Sequence, residues 1–388
     1  MRICFYGTAK GWGGGELLLS HLIEGLAARG VDVALIARTG SPTAAWATRQ
    51  NLPLRLEVAG RGRLPQSLKT LRSWLQQTRP DALVLNDPHA IISGGIAAWR
   101  LGIPRIGIRH TVFPVSGWKH RMLLEHLVCV SQAAQATCLK AGIPATLMSV
   151  IHCGLPNKQV PADDVLAIRQ LFETTAENAA LSSPARHLPS PARHLLSVGS
   201  LIPIKGFDTS LRAIARGIAS GHHWHLWLAG DGTERASLER LADALKISEY
   251  VHFLGFRDDI TSLMAAADAF LSSSYSEGLP LVLVEAMQAG CPIASTPVGG
   301  CAEALQVDAS GQSPFAQLFT PGNDAEASAA ISQAIEAAAR HSFRIAAARR
   351  WATDTFAQGR MVDRHLALYE TISGCQSSAN GDTLRPAA

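Results

Sequence analysis

Apolar runs at 2–6, 31–36, 82–85, 105–108 and 127–130, and again at 195–198, 225–229, 251–254 and 269–272, read as buried strands. Each is followed by helix-compatible sequence, and such alternation predicts parallel sheets with helices on both faces. After the first run, Gly11-Trp12-Gly13-Gly14-Gly15-Glu16 leads into an amphipathic helix over 17–28. The run 268–273 leads through Gly278 and Pro280 into an apolar helix that Gly290 ends, with Pro280 expected at the first helical position. A last helix is predicted over 356–372.

With 388 residues and 47% hydrophobic content, the chain is long enough for two cores. Between the two sets of strands, Ser183-Pro184-Ala185-Arg186-His187-Leu188-Pro189 is duplicated as Ser190-Pro191-Ala192-Arg193-His194-Leu195. Prolines this dense oppose a regular element, so an exposed linker is expected, with metal binding by its two histidines the weaker reading. The expected layout is an N-terminal domain over 1–155, a linker over 156–192, a second domain over 193–355, a helix over 356–373 and a disordered tail over 374–388. Seven cysteines without a C-x-x-C pair argue against a disulfide or zinc framework. Neither a basic, apolar leader nor an apolar run near the roughly 18 residues of a membrane span is seen, so a cytoplasmic location is expected.

The net charge of +4 hides an asymmetry: residues 1–155 carry 17 basic against 7 acidic residues, the remainder 18 against 24. The halves therefore face different partners. Basic residues mingle with apolar ones over 61–72 and 117–124. Such mixtures suit peripheral contact with an anionic membrane face, or are two ordinary helices with solvated basic faces, and both readings stay open. Nucleic acid is disfavoured because no recognised binding module accompanies the charge.

Candidate chemistry gathers at strand ends. The free amides of Leu281 and Val282 at a helix N-terminus favour an anion such as a diphosphate. Glu285 has only Leu281, Val282, Gln288 and Ala289 as helical neighbours, so either solvent or a donor such as a sugar hydroxyl pair must satisfy it. Lys205 follows a strand, where an ammonium can meet phosphate or simply be solvated. Gly255-Phe256-Arg257 offers an aromatic face to a nucleobase, or is a common loop. His110, after Arg109, could position a reacting hydroxyl or donate to a phosphate, with a structural role as the alternative; His89 has a weaker case. The glycine loop fails as a dinucleotide fingerprint because Glu16 replaces the third glycine.

In this order the motifs resemble the retaining glycosyltransferases of family 4. The resemblance covers most of the chain, including Val128-Cys129-Val130-Ser131, Ala141-Gly142-Ile143-Pro144 and Val150-Ile151-His152-Cys153-Gly154. It implies an α/β GT-B fold, two doubly wound Rossmann-like domains facing a central cleft, with the last helix crossing back to the first domain. It also implies that Glu277 contacts the transferred sugar and Glu285 the ribose, with Ser200 and Gly278 among the donor-binding residues. Lys205 with the Leu281 and Val282 amides would hold the diphosphate. Phe256 and Arg257 would line the base site, Gly14 and Gly15 would close over the donor, and His110 matches the family's cleft histidine. The implied substrates are a UDP- or GDP-linked sugar and a glycan or lipid-linked acceptor of lipopolysaccharide or polysaccharide synthesis. No cofactor or metal is expected, since no D-x-D motif stands in a suitable loop.

Two departures stand out. Ser200 replaces the family's phosphate-loop arginine, so Lys205, Arg257 or a first-domain cation must carry more charge. His152-Cys153-Gly154 replaces Pro-Asn-Gly. A GT-B-like epimerase or phosphorylase, and a non-catalytic nucleotide-sugar binder, remain alternatives.

Overall fold

The structure is a computed structural model that describes residues 1–57, 64–182, 191–340 and 342–374. It divides into two compact units, Met1–Pro156 together with the chain from Ala357, and Asn157–Phe356.

The first unit is a seven-stranded parallel sheet. Its strands are β1 (Arg2–Gly7), β2 (Asp32–Arg38), β3 (Leu54–Glu57), β4 (Ala82–Leu85), β5 (Arg105–Arg109), β6 (His126–Cys129) and β7 (Met148–Val150), in the order β3-β2-β1-β4-β5-β6-β7. Central strands such as β4 are buried at every position, which is why they read as continuous apolar runs. The helix Gln358–Ser373 belongs to this unit. Val362 lies so close to Gly25 that a Cβ there would come within 2.4 Å of it, and Arg29 pairs with Asp363 at 2.7 Å. The helix therefore completes the packing of the Gly14–Ala27 helix.

The second unit is a six-stranded parallel sheet. Its strands are β8 (Arg193–Val198), β9 (Trp224–Ala229), β10 (Val251–Gly255), β11 (Ala269–Ser272), β12 (Ile293–Ser295) and β13 (Ala316–Leu318), in the order β10-β9-β8-β11-β12-β13. Its core gathers Leu195, Leu211, Ile214, Trp224, Leu226 and Leu271 beneath the flanking helices. Both sheets reverse strand order once, between β1 and β4 and between β8 and β11. In open α/β sheets ligands bind outside the carboxyl ends of the strands at such switch points.

The expected linker over 156–192 needs correction. It contains a 21-residue helix, Ala162–Ser182, and Phe172 of this helix stacks on Trp227 of β9 at 4.3 Å between ring centroids. The second copy of the duplication is not an exposed spacer either. Arg193 opens β8, and the His194 side chain is fully buried. Residues 183–190, which hold the first copy, and 375–388 of the expected tail lie outside the described residues, as does 58–63 at the edge of the first basic cluster. Among the described residues no helix is long and apolar enough to cross a membrane.

Candidate active site

In the second unit, the loops after β8 and β11 flank the switch point. The first makes a turn over Pro203–Lys205 closed by Gly206 at φ +64°, and a Cβ on Gly206 would sit 2.2 Å from the Ser273 carbonyl oxygen. Only glycine fits there, and its packing fixes the base of Lys205. Lys205 Nζ reaches Glu277 Oε1 at 2.6 Å, and Ser274 Oγ donates to the same oxygen at 2.7 Å. The ammonium thus stands at the end of β8 and its carboxylate partner after β11.

The Glu277 turn is backed by the loop after β12. Thr296 Oγ1 donates to the Ser274 carbonyl at 2.7 Å, and the Gly300 amide donates to the Glu277 carbonyl at 3.1 Å. A Cβ on Gly300 would lie 2.0 Å from the Gly278 carbonyl oxygen; one on Gly299, at φ +52°, would lie 2.1 Å from that of Glu277. Gly300→Ala must displace the turn that carries Glu277. Its expected cost is about 1–3 kcal/mol, typical of overpacking, read as a lowered urea midpoint; an unchanged midpoint would mean the turn yields freely.

The turn feeds the helix Leu281–Ala289. Pro280 is its N-cap, with φ −79° and ψ 100°, and not its first residue as the sequence suggested. Leu283 N–H donates to the Pro280 carbonyl at 3.1 Å, whereas the amides of Leu281 and Val282 precede every acceptor the helix itself supplies. Glu285, one turn further, is half-buried, and burial pushes its carboxyl up to about 7 although Lys158 pulls the other way. A carboxylate held in so little water favours a ligand that brings hydrogen-bond donors.

After β10, Phe256 is 78% exposed, a face that no part of the described chain covers. Arg257 Nε donates to Asp259 Oδ1 at 2.8 Å, so its guanidinium would have to leave that carboxylate to reach a phosphate. Ser200 is exposed in the loop after β8, and the Lys205 chain folds back over Gly199, its Cε 3.8 Å from a Cβ placed there.

In the first unit, Gly14 and Gly15 form the first turn of the Gly14–Ala27 helix. Glu16 Oε2 accepts the Gly13 N–H at 3.0 Å, and burial raises the Glu16 carboxyl above its usual range. An acidic side chain therefore occupies the anion-favouring end of this helix. The His110 ring packs against Gly15, with Cγ and Cδ2 each 3.5 Å from a Cβ placed there. His110 Nε2 lies 2.9 Å from Asn86 Oδ1, and burial lowers the imidazole to about 4. Arg109 is buried and donates to the Phe113 carbonyl, so it faces inward. His89 is exposed, and its backbone N–H donates to Asp87, the N-cap of Pro88–Trp99. The His152-Cys153-Gly154 turn is packing: Cys153 is buried, and a Cβ on Gly154 would lie 2.6 Å from the Ala357 carbonyl oxygen.

Lys205, Glu277, Gly278, Leu281, Val282 and Glu285 thus share one strand-loop-helix neighbourhood, and Gly15 meets His110 in the other unit. Four neighbours escaped sequence reasoning: Ser274 on Glu277, Gly299 and Gly300 behind it, and Asn86 on His110. The Gly299-Gly300 pair after a short strand was a legible signal of close backbone approach.

This geometry has counterparts. The profile of "Glycosyl transferases group 1" matches residues 182–351, and that of "Glycosyltransferase Family 4" matches 12–158. A lipopolysaccharide core biosynthesis glycosyltransferase of Rhizobium meliloti, LpsE, is 26% identical over 301 residues, covering 73% of this chain and 76% of the relative. The lipopolysaccharide glucosyltransferase WaaG of Escherichia coli is 39% identical over 127 residues, 32% of this chain and 33% of the relative. Among solved structures, Anabaena HepE in complex with UDP-glucose superposes with a TM-score of 0.81 at 22% identity, over 96% of this chain and all of that one. Two family profiles on the two units, and GT-B glycosyltransferases as structural counterparts, place this chain in the group 1, family 4 glycosyltransferases.

Proposed function

We propose that the chain transfers a sugar from a nucleoside diphosphate sugar, with retained configuration, to a lipid-linked or glycan acceptor of lipopolysaccharide or cell-surface polysaccharide synthesis. The carrying observation is the Lys205–Glu277 pair beside the N-terminus of Leu281–Ala289. Cation and helix amides together suit a diphosphate, and Glu277 suits the hydroxyls of the sugar attached to it. Glu285, half-buried and awaiting donors, suits a ribose diol. The exposed Phe256 suits a base. UDP and UDP-glucose in the Anabaena HepE structures favour a uridine donor.

No step needs a protein nucleophile in this reading. The leaving diphosphate takes the acceptor proton on the face where the sugar departs, while Lys205 and the helix amides offset its charge. Purified chain should be stabilised against heat by its own nucleotide diphosphate, about 2.7 kcal/mol at a concentration 100 times the dissociation constant. Transfer from the matching nucleotide sugar to lipid-linked acceptors should then follow. Stabilisation without transfer or hydrolysis across donors and acceptors would support the non-catalytic binder instead.

The acceptor half of the proposal rests on the first unit's surface. The helices Pro88–Trp99 and Gly117–Leu123 pack through Gly95 against Leu123, and Trp99, Trp118 and Met122 on them are all more than half exposed. Arg100, Lys119 and Arg121 adjoin them along the chain, with Lys119 Nζ 5.8 Å from the Trp118 ring centroid. Aromatic side chains among cations match the interface of an anionic bilayer, where each cation contributes about 1 kcal/mol. Lys119→Gln with Arg121→Gln should therefore weaken binding to phosphatidylglycerol vesicles by about 2 kcal/mol at low salt. Equal sedimentation of variant and parent would point to a soluble acceptor.

A further inference from the structure

We propose that Asn86 is a positioning residue that holds the His110 imidazole as its Nε2–H tautomer, so that His110 meets substrate as a hydrogen-bond acceptor through Nδ1. This rests on the reading of His110 as a substrate-facing residue of the transferase.

Asn86 follows β4 and His110 follows β5, two strands paired in parallel with Leu85 opposite Gly107, so the side chains meet beyond adjacent strand ends. Asn86 is 2% exposed, and its backbone N–H donates to the Tyr6 carbonyl at 2.9 Å, which fixes the residue. Its side-chain Oδ1, 2.9 Å from His110 Nε2, only accepts, so the proton in that bond belongs to the imidazole. Gly15 closes against the Cγ–Cδ2 edge of the ring and limits its rotation. A neutral imidazole carries one N–H. Here it is spent on Asn86, and Nδ1 keeps a lone pair.

The consequence is a choice between the two roles open to His110. A ring with no proton to offer has nothing for a phosphate oxygen, whereas a sugar hydroxyl brings its own proton. His110 therefore accepts from a hydroxyl of the substrate and offers nothing to a phosphate oxygen. The charged or titratable groups around the ring are Asp87, which favours protonation, and Arg109 and His365, which oppose it.

Asn86→Asp and Asn86→Ala separate this role from a merely structural one. Aspartate still accepts from Nε2 but favours the imidazolium, so turnover should fall about tenfold or more at neutral pH and recover as pH rises. Alanine removes the acceptor, and its loss of about tenfold should persist at every pH; a tenfold loss corresponds to about 1.4 kcal/mol. Proton-nitrogen spectra of the full chain with nitrogen-15 histidine, assigned with His110→Gln, read the tautomer without any substrate. The expected result is Nε2–H in the parent and a mixture in Asn86→Ala. A parent ring protonated on Nδ1, or an Asn86→Ala ring unchanged from the parent, overturns the proposal. Failure of the parent to transfer sugar would sink the transferase reading and leave the spectra to decide the tautomer alone.

Discussion

Replacing Lys205 with alanine should lower turnover by about 10²- to 10³-fold at saturating donor, the usual cost of removing one preorganised group that stabilises developing charge. The expectation is sharpened by what the ammonium does in the free chain. It is part-exposed and lies 2.6 Å from Glu277 Oε1, while the Glu277 side chain is only 10% exposed. Removing the cation leaves that carboxylate with Ser274 as its side-chain donor among the described residues. Some of any loss could then come from a displaced Glu277 turn, because a buried charge left unpaired is destabilising in its own right. Lys205→Arg keeps the charge, and a Lys205→Ala, Glu277→Gln pair removes the orphaned carboxylate. Because Glu277 is itself assigned to the sugar, the double variant is read for stability alone. A melting temperature returned to that of the parent measures how much of the Lys205→Ala effect is the orphaned carboxylate, while turnover is compared between Lys205→Ala and Lys205→Arg. A loss under threefold in Lys205→Ala would remove the residue from the mechanism.

The same pair shows what was legible in the chain and what was not. Lys205, Glu277, the Leu281 and Val282 amides and Glu285 sit on strand-loop-helix segments, so strand ends and a glycine-proline turn locate them without knowledge of the third dimension. The contacts that hold them are of another kind. Lys205 and Glu277 are 72 positions apart and meet because β8 and β11 are neighbours at the switch point. Asn86 and His110, 24 positions apart, meet because β4 pairs with β5. Local pattern carries no information on strand order, which is why the supporting residues stayed hidden while the charged ones did not.

Strand length sets a second limit. β1, β2, β4, β5, β8 and β9 bury four or more positions in succession and stand out as apolar runs. The short strands β7, β12 and β13 have three residues each, and β3 alternates leucine with charge as Leu54-Arg55-Leu56-Glu57. Such segments become strands by pairing with a neighbour, not by intrinsic preference. The helix Ala162–Ser182 is hard to read in the sequence for a different reason: it runs directly into the proline-rich duplication, whose composition opposes a regular element.

Glu285→Ala should weaken nucleotide-sugar affinity by about 1.5–3 kcal/mol, the range for hydrogen bonds to a charged group, and the parent's affinity should fall as pH falls through 7. The free-chain carboxyl is pushed up to about 7 by burial, so near neutrality it is divided between protonated and ionised forms. Ribose hydroxyls donate best to the ionised form, so binding must draw the proton off and the bound carboxyl must titrate lower. Affinity is then level above pH 7 and declines toward acid by up to about tenfold per pH unit. The intact nucleotide sugar is the right probe, because a terminal phosphate titrates near pH 6 and would imitate the effect. Glu285→Gln should bind weakly and independently of pH. Stability runs the opposite way: a carboxyl raised in the fold contributes its stabilisation below its unfolded value and loses it as pH rises through 7. Glu285→Gln should consequently melt higher than the parent at alkaline pH, where the parent carries an ionised, poorly solvated carboxylate. Higher stability with lost affinity marks a residue kept for its ligand; unchanged affinity with unchanged melting would mark a carboxylate that reaches solvent, and would exclude the ribose role.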